Sequence, residues 1–322
     1  MPESYANAIE KRIQELYHYM PPRTAKSDLS AFWERNLRSI ESKPLNAKRE
    51  AAVTPLAAVT AYRVTYEGFD ATPIHGWFLL PKHGGAEPRP CIVKFHGYTG
   101  GSEYPEQHAQ WLLMGYAVFA VDIRGQGGET GNLLPQTFGM TKGWITQGIL
   151  DREACYYNAI TADALKALAW AREQPEVDSS RIAVVGSSQG GGLALMTAAL
   201  SDIPSAAIAH IPNMCHMDYG LLHSTGSLTE AAAFVAKFPD RLERVLETLS
   251  YFDLINLADR ISIPVHVSVG LKDTVCLPET VFAACNRIAA PKIIEVHPFS
   301  GHEVGTYQNR QGLLFLQEWL LG

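Results

Sequence analysis

The chain has 322 residues, 47% of them hydrophobic, with a formal net charge of -6 and a pI near 6.0. That balance gives no basic field for a nucleic acid or an anionic lipid surface, so neither a nucleic-acid nor a membrane partner is expected. Five cysteines, Cys91, Cys155, Cys215, Cys276 and Cys285, form no CxxC pair and read as reduced, buried thiols; with no apolar leader ahead of them, they point to the cytoplasm.

In chain order, Tyr5, Ile9, Ile13, Leu16 and Met20 recur at helical spacing until Pro21 and Pro22 stop the pattern. A second amphipathic helix is expected from Asp28 to Ile40, which completes a helical extension over about 1–45. The stretch YRVTYEGFDATPIHGWFLLP alternates around a Gly-Phe-Asp-Ala turn and predicts an antiparallel hairpin. Six apolar runs follow at 91–97, 116–124, 181–187, 206–212, 265–270 and 293–299, each expected to be a strand buried on both faces. Helical patterns such as TADALKALAWAREQ and QGLLFLQEWLL lie between or after them. This alternation predicts an α/β fold in one domain, a mostly parallel central sheet flanked by helices, with the hairpin at its antiparallel edge. Residues 213–260 break the rhythm and read as an inserted helical cap over the carboxyl ends of the strands, shaping the leaving-group side of any site there.

At VVGSSQGGG a buried strand runs into small residues and then into the helix LALMTAALS. Strand, tight turn and helix are the context in which Gly-x-Ser-x-Gly is a nucleophile elbow. Gly186 and Gly190 flank Ser188 symmetrically, so Ser188 is the candidate nucleophile and Ser187 the variable position. A lone serine is a poor nucleophile and needs a base and an orienting acid. On an α/β-hydrolase these come from loops after later strands, acid before histidine. Asp273 is the first carboxylate past 265–270, and His302 sits in a glycine-flanked loop before the last helix.

Competing chemistry does not fit. HEVGT has Thr306 where a zincin needs its second histidine, GQGGET has Thr130 where a dinucleotide fingerprint needs glycine, and no Walker A lysine pattern exists. His210, His216 and His223 cluster near Cys215 and Asp218 at spacings of no standard metal site. Neither cofactor nor metal is expected.

The motifs RGQ at 124–126, GSSQG at 186–190 and HE at 302–303, supported by HGYTGG, GWITQGILD and SYFDLINLADRISIPVHVSVGLKD, resemble carbohydrate esterase family 7 of the α/β-hydrolases. This is the acetyl xylan esterase and cephalosporin C deacetylase group. The resemblance implies Ser188 as nucleophile, His302 as general base and Asp273 as its orienter. It also implies an oxyanion hole from the main-chain N–H groups of Tyr98 and Gln189, with the Tyr98 ring walling the acyl pocket. Arg124 is expected to hold a carboxylate such as Glu303 and so fix the His302 loop, with Gln126 grouped beside them as structural support. The implied reaction removes acetyl groups from small acetylated substrates (xylo-oligosaccharides, sugars, cephalosporin C) through an acetyl-serine intermediate, in a homohexamer. Two alternatives stand at this point: another hydrolase of the same fold, a short-chain carboxylesterase or a peptidase, and a catalytically silent binding protein.

Overall fold

The computed structural model describes residues 7–85, 87–139 and 142–322. Tyr5 of the first helical pattern lies outside them. Among the described residues nine strands form one sheet: β1 (Lys48–Ala52), β2 (Val59–Glu67), β3 (Pro73–Pro81), β4 (Arg89–Phe95), β5 (Ala117–Val121), β6 (Val177–Ser187), β7 (Ala206–His210), β8 (Val265–Gly270) and β9 (Lys292–His297). Their spatial order is β1-β2-β3-β5-β4-β6-β7-β8-β9. From β5 to β9 all pairings are parallel, whereas β1, β2 and β3 pair antiparallel and β3 joins β5 antiparallel. The expected hairpin is β2 and β3, at that antiparallel edge.

Two departures from the sequence reading have one cause. The short edge strand β1 reads KREAA, too polar to be recognised, and its exposed position lets it be so. At the opposite edge β9 is exposed to half-buried rather than buried on both faces, because no strand lies beyond it.

The helices are α1 (Ala8–Tyr17), α2 (Leu29–Ser42), α3 (Ala109–Leu113), α4 (Tyr156–Arg172), α5 (Gln189–Leu200), α6 (Met217–His223), α7 (Leu228–Lys237), α8 (Leu242–Ser250), α9 (Pro278–Cys285) and α10 (Thr306–Leu316). Strand residues divide between two apolar cores. Val93, Phe119 and Val184 pack with Trp170 and Leu193 from α4 and α5, while Ile92, Val118 and Ile208 pack with Trp111 of α3 and Phe315 of α10. Helices therefore cover both faces, as continuous apolar strands require. Every residue of α5 is buried, which explains why the helix carries no charged side chain and only Gln189 and Thr197 as polar ones.

The N-terminal helices brace the later half of the chain. Tyr17 meets Phe282 of α9 edge-on at 5.0 Å between ring centroids, and Asn286 Nδ2 donates to the carbonyls of Leu16 and Tyr19 at 2.9 and 3.1 Å. From α2, Trp33 Nε1 donates to the Tyr251 carbonyl at 2.9 Å. The segment 213–260 is helical as expected, carrying α6, α7 and α8. Among the described residues no helix is long and apolar enough to cross a membrane.

Candidate active site

The turn from β6 into α5 holds Ser188 at φ 55° and ψ -119°. This left-handed backbone is costly for a residue with a Cβ and is tolerated where the surroundings over-determine it. Here they do. The Ser188 N–H donates to the His210 carbonyl at 2.9 Å, and the Ser188 carbonyl accepts from Gly192 and Asn213, each at 2.9 Å. The two flanking glycines follow from close approach: a Cβ on Gly186 would overlap the backbone of Gly190, and one on Gly190 would overlap the Phe95 carbonyl of β4. The turn lifts the hydroxyl above the carboxyl ends of the strands.

His302 comes to it from the loop between β9 and α10. Its Nε2 lies 3.0 Å from Ser188 Oγ and its Nδ1 lies 2.8 Å from Asp273 Oδ2. A carboxylate beside Nδ1 keeps the proton there, leaving Nε2 to accept from the serine hydroxyl. Asp273 is itself fixed, because its Oδ1 accepts the N–H groups of Val275 and Cys276 at 2.8 and 2.9 Å and its side chain is wholly buried. The His302 side chain remains 27% exposed, so a ligand can reach it. The Cys276 thiol sits against Ser188, and burial pushes its pKa far above the usual thiol range, so it stays a neutral neighbour.

The head of α5 and the loop after β4 face the serine. Among the described residues the main-chain N–H groups of Tyr98 and Gln189 donate to no protein acceptor; Gln189 is the first residue of α5, where such groups have no partner within the helix. The loop that carries Tyr98 is held from several sides. His96 Nε2 accepts from Ile123 N–H at 2.8 Å while its Nδ1 lies 2.7 Å from the Gly97 carbonyl, and burial holds its pKa below the usual histidine range. Gln126 Oε1 accepts from Thr99 N–H at 2.8 Å, and Ser102 N–H donates to Asp122 at 2.7 Å. Gln126 Nε2 also donates to the Gln189 side chain at 3.1 Å and to Tyr156 at 2.9 Å. The expected supporting role of Gln126 therefore has a concrete form, a buried bridge between the Tyr98 loop and the α5 head.

Arg124 differs from expectation. Its guanidinium is fully buried and forms a two-pronged pair with Asp163 of α4, at 2.6 and 2.8 Å, plus a bond to Asp70 in the hairpin turn at 3.1 Å. Glu303 is exposed and, among the described residues, its carboxylate has no hydrogen bond or ion pair. The physical reason is placement: the guanidinium is enclosed between α4 and the hairpin turn, which supply its carboxylates, whereas Glu303 lies at the surface. Arg124 thus ties the loop after β5 to α4 and the hairpin, not to the His302 loop.

His210, His216 and His223 do not converge on one site. His210 ends β7 with its Nδ1 2.8 Å from Ser268 Oγ, His216 stacks on Tyr219 at the start of α6, and the His223 ring lies 4.3 Å from that of Tyr219. Among the described residues no group of three His, Cys, Asp or Glu side chains is placed to hold a metal ion.

Tyr98, Ser188, Asn213, Ser227 and His302 line an open cleft of about 470 Å³. Asn213 and Ser227 belong to the inserted segment. A larger groove of about 830 Å³ lies at the far end of α5 and includes none of these residues. Beyond the sequence reading, Glu230 of α7 reaches this region: the Tyr98 phenol donates to both of its carboxylate oxygens at 2.8 Å and accepts from Trp144 N–H at 3.0 Å.

The family model for acetyl xylan esterase (AXE1) matches residues 7–319. The chain belongs to the acetyl xylan esterase family. It is a carboxylic ester hydrolase with the α/β-hydrolase fold. A solved acetyl xylan esterase from a Paenibacillus species is 38% identical with a TM-score of 0.92, over 96% of this chain and 99% of that one. Acetyl xylan esterase 1 from a Thermoanaerobacterium species is 30% identical with a TM-score of 0.90, over 95% of this chain and 98% of that one. The acetyl esterase Axe7A of Xylanibacter ruminicola is 26% identical over 90% of this chain, which spans 66% of that relative's length. An acylaminoacyl peptidase of Pyrococcus horikoshii, 16% identical with a TM-score of 0.58 over 88% of this chain and 43% of its own, shares the fold alone.

Proposed function

We propose that this acetyl xylan esterase family member removes acetyl groups from small acetylated molecules, acetylated xylo-oligosaccharides and sugars and cephalosporin C among them, with Ser188 as nucleophile. The observation that carries the reading is the hydrogen-bonded line from Ser188 Oγ through His302 to Asp273, 3.0 and 2.8 Å long, opening on an accessible cleft.

As His302 Nε2 takes the hydroxyl proton, Ser188 Oγ forms a bond to the ester carbonyl carbon. The negative charge moves to the carbonyl oxygen, where the main-chain N–H groups of Tyr98 and Gln189 receive it. Collapse breaks the bond to the alcohol oxygen, which leaves with the proton from His302. Water then attacks the acetyl-serine, its proton passes to His302 and on to Ser188 Oγ, and acetate departs. Asp273 holds the Nδ1 proton throughout and steadies the imidazolium. The half-buried Tyr98 ring closes the acyl side, which favours acetyl over longer chains.

Assembly as a homohexamer and a reducing compartment belong to the same proposal. The second is supported by five buried cysteines, all with free thiols. The test is kcat/KM on 4-nitrophenyl esters from acetyl to octanoyl, beside acetylated xylo-oligosaccharides, acetylated monosaccharides, cephalosporin C and a peptide anilide, with fluorophosphonate labelling of Ser188. Acetyl esters are expected to be cleaved fastest. Faster cleavage of butyryl or octanoyl esters overturns the deacetylase reading and leaves a general carboxylesterase, and absence of labelling overturns the enzyme reading of the site.

A further inference from the structure

Glu230 is a carboxylate in an unusual place for one. It is 6% exposed, it belongs to α7 of the inserted segment, and both of its oxygens take the hydroxyl of the tyrosine whose backbone faces Ser188. Burial raises its pKa above the usual carboxylate range, and burial likewise pushes the Tyr98 phenol up, so the phenol keeps its proton and donates. Around the Glu230 carboxylate the chain bends tightly: Gly143 has φ +63° and a Cβ there would overlap it. The phenol oxygen is held from the other side by the Trp144 N–H, and the Tyr98 and Trp144 rings meet edge-on at 5.3 Å. An exposed tyrosine would need none of these partners; this one is clamped at its tip by two other segments.

We propose that Glu230 is a positioning residue that locks the Tyr98 side chain and so sets how large an acyl group the site accepts. The inference rests on the reading of Ser188 as nucleophile and of the Tyr98 ring as acyl wall. A ring anchored at its hydroxyl cannot swing about χ1 without breaking a charge-assisted hydrogen bond in a site shielded from water. The same residue presents its N–H to the developing oxyanion, so a loosened ring loosens that donor too. Acyl selectivity is thereby governed from α7, far in sequence from both the Ser188 turn and the Tyr98 loop.

Three variants test this: Glu230→Ala, Glu230→Gln and Tyr98→Phe, with the Glu230→Ala/Tyr98→Phe double variant. Each is assayed on 4-nitrophenyl acetate, butyrate and hexanoate, with thermal melts as a control. Removing the anchor is expected to lower kcat on acetate by about 10- to 100-fold, the usual effect of losing a hydrogen bond to a charged group, with KM less affected. The butyrate-to-acetate ratio of kcat/KM should rise by about tenfold. Glu230→Gln, which still offers a carbonyl to the phenol, should recover most of the wild-type ratio. Tyr98→Phe, which deletes the phenol oxygen and with it the Trp144 contact as well, should lose at least as much as Glu230→Ala, and adding Glu230→Ala to it should cost nothing further. If Glu230→Ala does not fold, Glu230→Leu, which keeps the volume and accepts no hydrogen bond, is read in its place. An unchanged acyl ratio in the folded variants, or additive losses in the double variant, overturns the inference while leaving the esterase reading intact. A wild-type protein inactive on every ester overturns both.

Discussion

The side-chain amides of Gln126 and Gln189 face one another across 3.1 Å, joining the loop after β5 to the first turn of α5. Since Gln126 also accepts the Thr99 N–H at 2.8 Å, it ties together the Tyr98 loop and the α5 head, the two segments proposed to supply the oxyanion donors. Gln126→Leu should keep the volume and lose the bridge. Its kcat on an acetyl ester is expected to fall by roughly 10- to 100-fold with little change in KM, because donors aimed at a transition-state charge act on kcat. A rise in KM with kcat unchanged would instead make Gln126 a contact for bound substrate.

Ser188→Ala should abolish ester hydrolysis, a loss on the order of 10⁴ to 10⁶ in kcat, without lowering the melting temperature. Ser187→Ala should retain most activity, since its side chain is not part of the hydrogen-bonded line through His302. Equal losses from the two substitutions would undo the assignment.

Asp273→Asn should give a folded enzyme slower by roughly 10⁴-fold, because an amide no longer holds the proton on His302 Nδ1. The Val275 and Cys276 N–H groups keep the loop in place by donating to the remaining carbonyl oxygen. Near-wild-type kcat in this variant would assign the orienting role to another carboxylate.

Arg124→Met and Glu303→Ala separate the observed partners of Arg124 from the expected one. Removing the buried guanidinium strands the buried Asp163 carboxylate, so Arg124→Met should cost about 3 to 5 kcal/mol by urea denaturation. Glu303→Ala should stay within about 0.5 kcal/mol of wild type, as an exposed position without a partner would.

Stability should fall in acid through three buried histidines. Burial lowers His210 to about 3, and His108 and His266 to about 4. The unfolded chain takes up these protons near pH 6.5 and the folded chain only near 3 to 4, so their contribution is complete above about pH 6.5 and drains away as pH falls through that window. For one such group the full effect is on the order of 3 kcal/mol. Asp253 runs the other way: burial raises it to about 7, so its contribution is lost as pH rises toward that value. Comparing urea midpoints of wild type and His266→Gln at pH 7.5 and 5 isolates one histidine, and the variant should show the smaller acid loss. Identical pH dependence would mean that His266 takes up its proton at the same pH in the fold as in the unfolded chain.

The parallel strands were legible because burial on both faces demands unbroken apolar runs, and that demand shows in any single sequence. β1 was not, since an exposed edge strand carries no such constraint. Ser188, Asp273 and His302 could be picked out because each sits at a fixed place relative to a strand end. The partners of Arg124 could not: Asp163 looks like a polar break in an apolar helix and Asp70 like a turn residue, and only the packing of α4 against the hairpin joins them. Glu230 was equally hidden in an amphipathic helix. The one hint was Gly143, whose left-handed backbone leaves room for a carboxylate that arrives from 87 positions away.

Asp273 meets its backbone donors two and three residues along the chain, and the Ser188 turn is shaped by the strand and helix on either side of it. His302 must instead be brought in across 29 positions to the acid and 114 to the serine. The hydrogen-bonded line is complete only where β9 and α10 are docked, because His302 lies in the loop between them, so loosening that one edge of the sheet leaves Ser188 without the base a serine nucleophile needs.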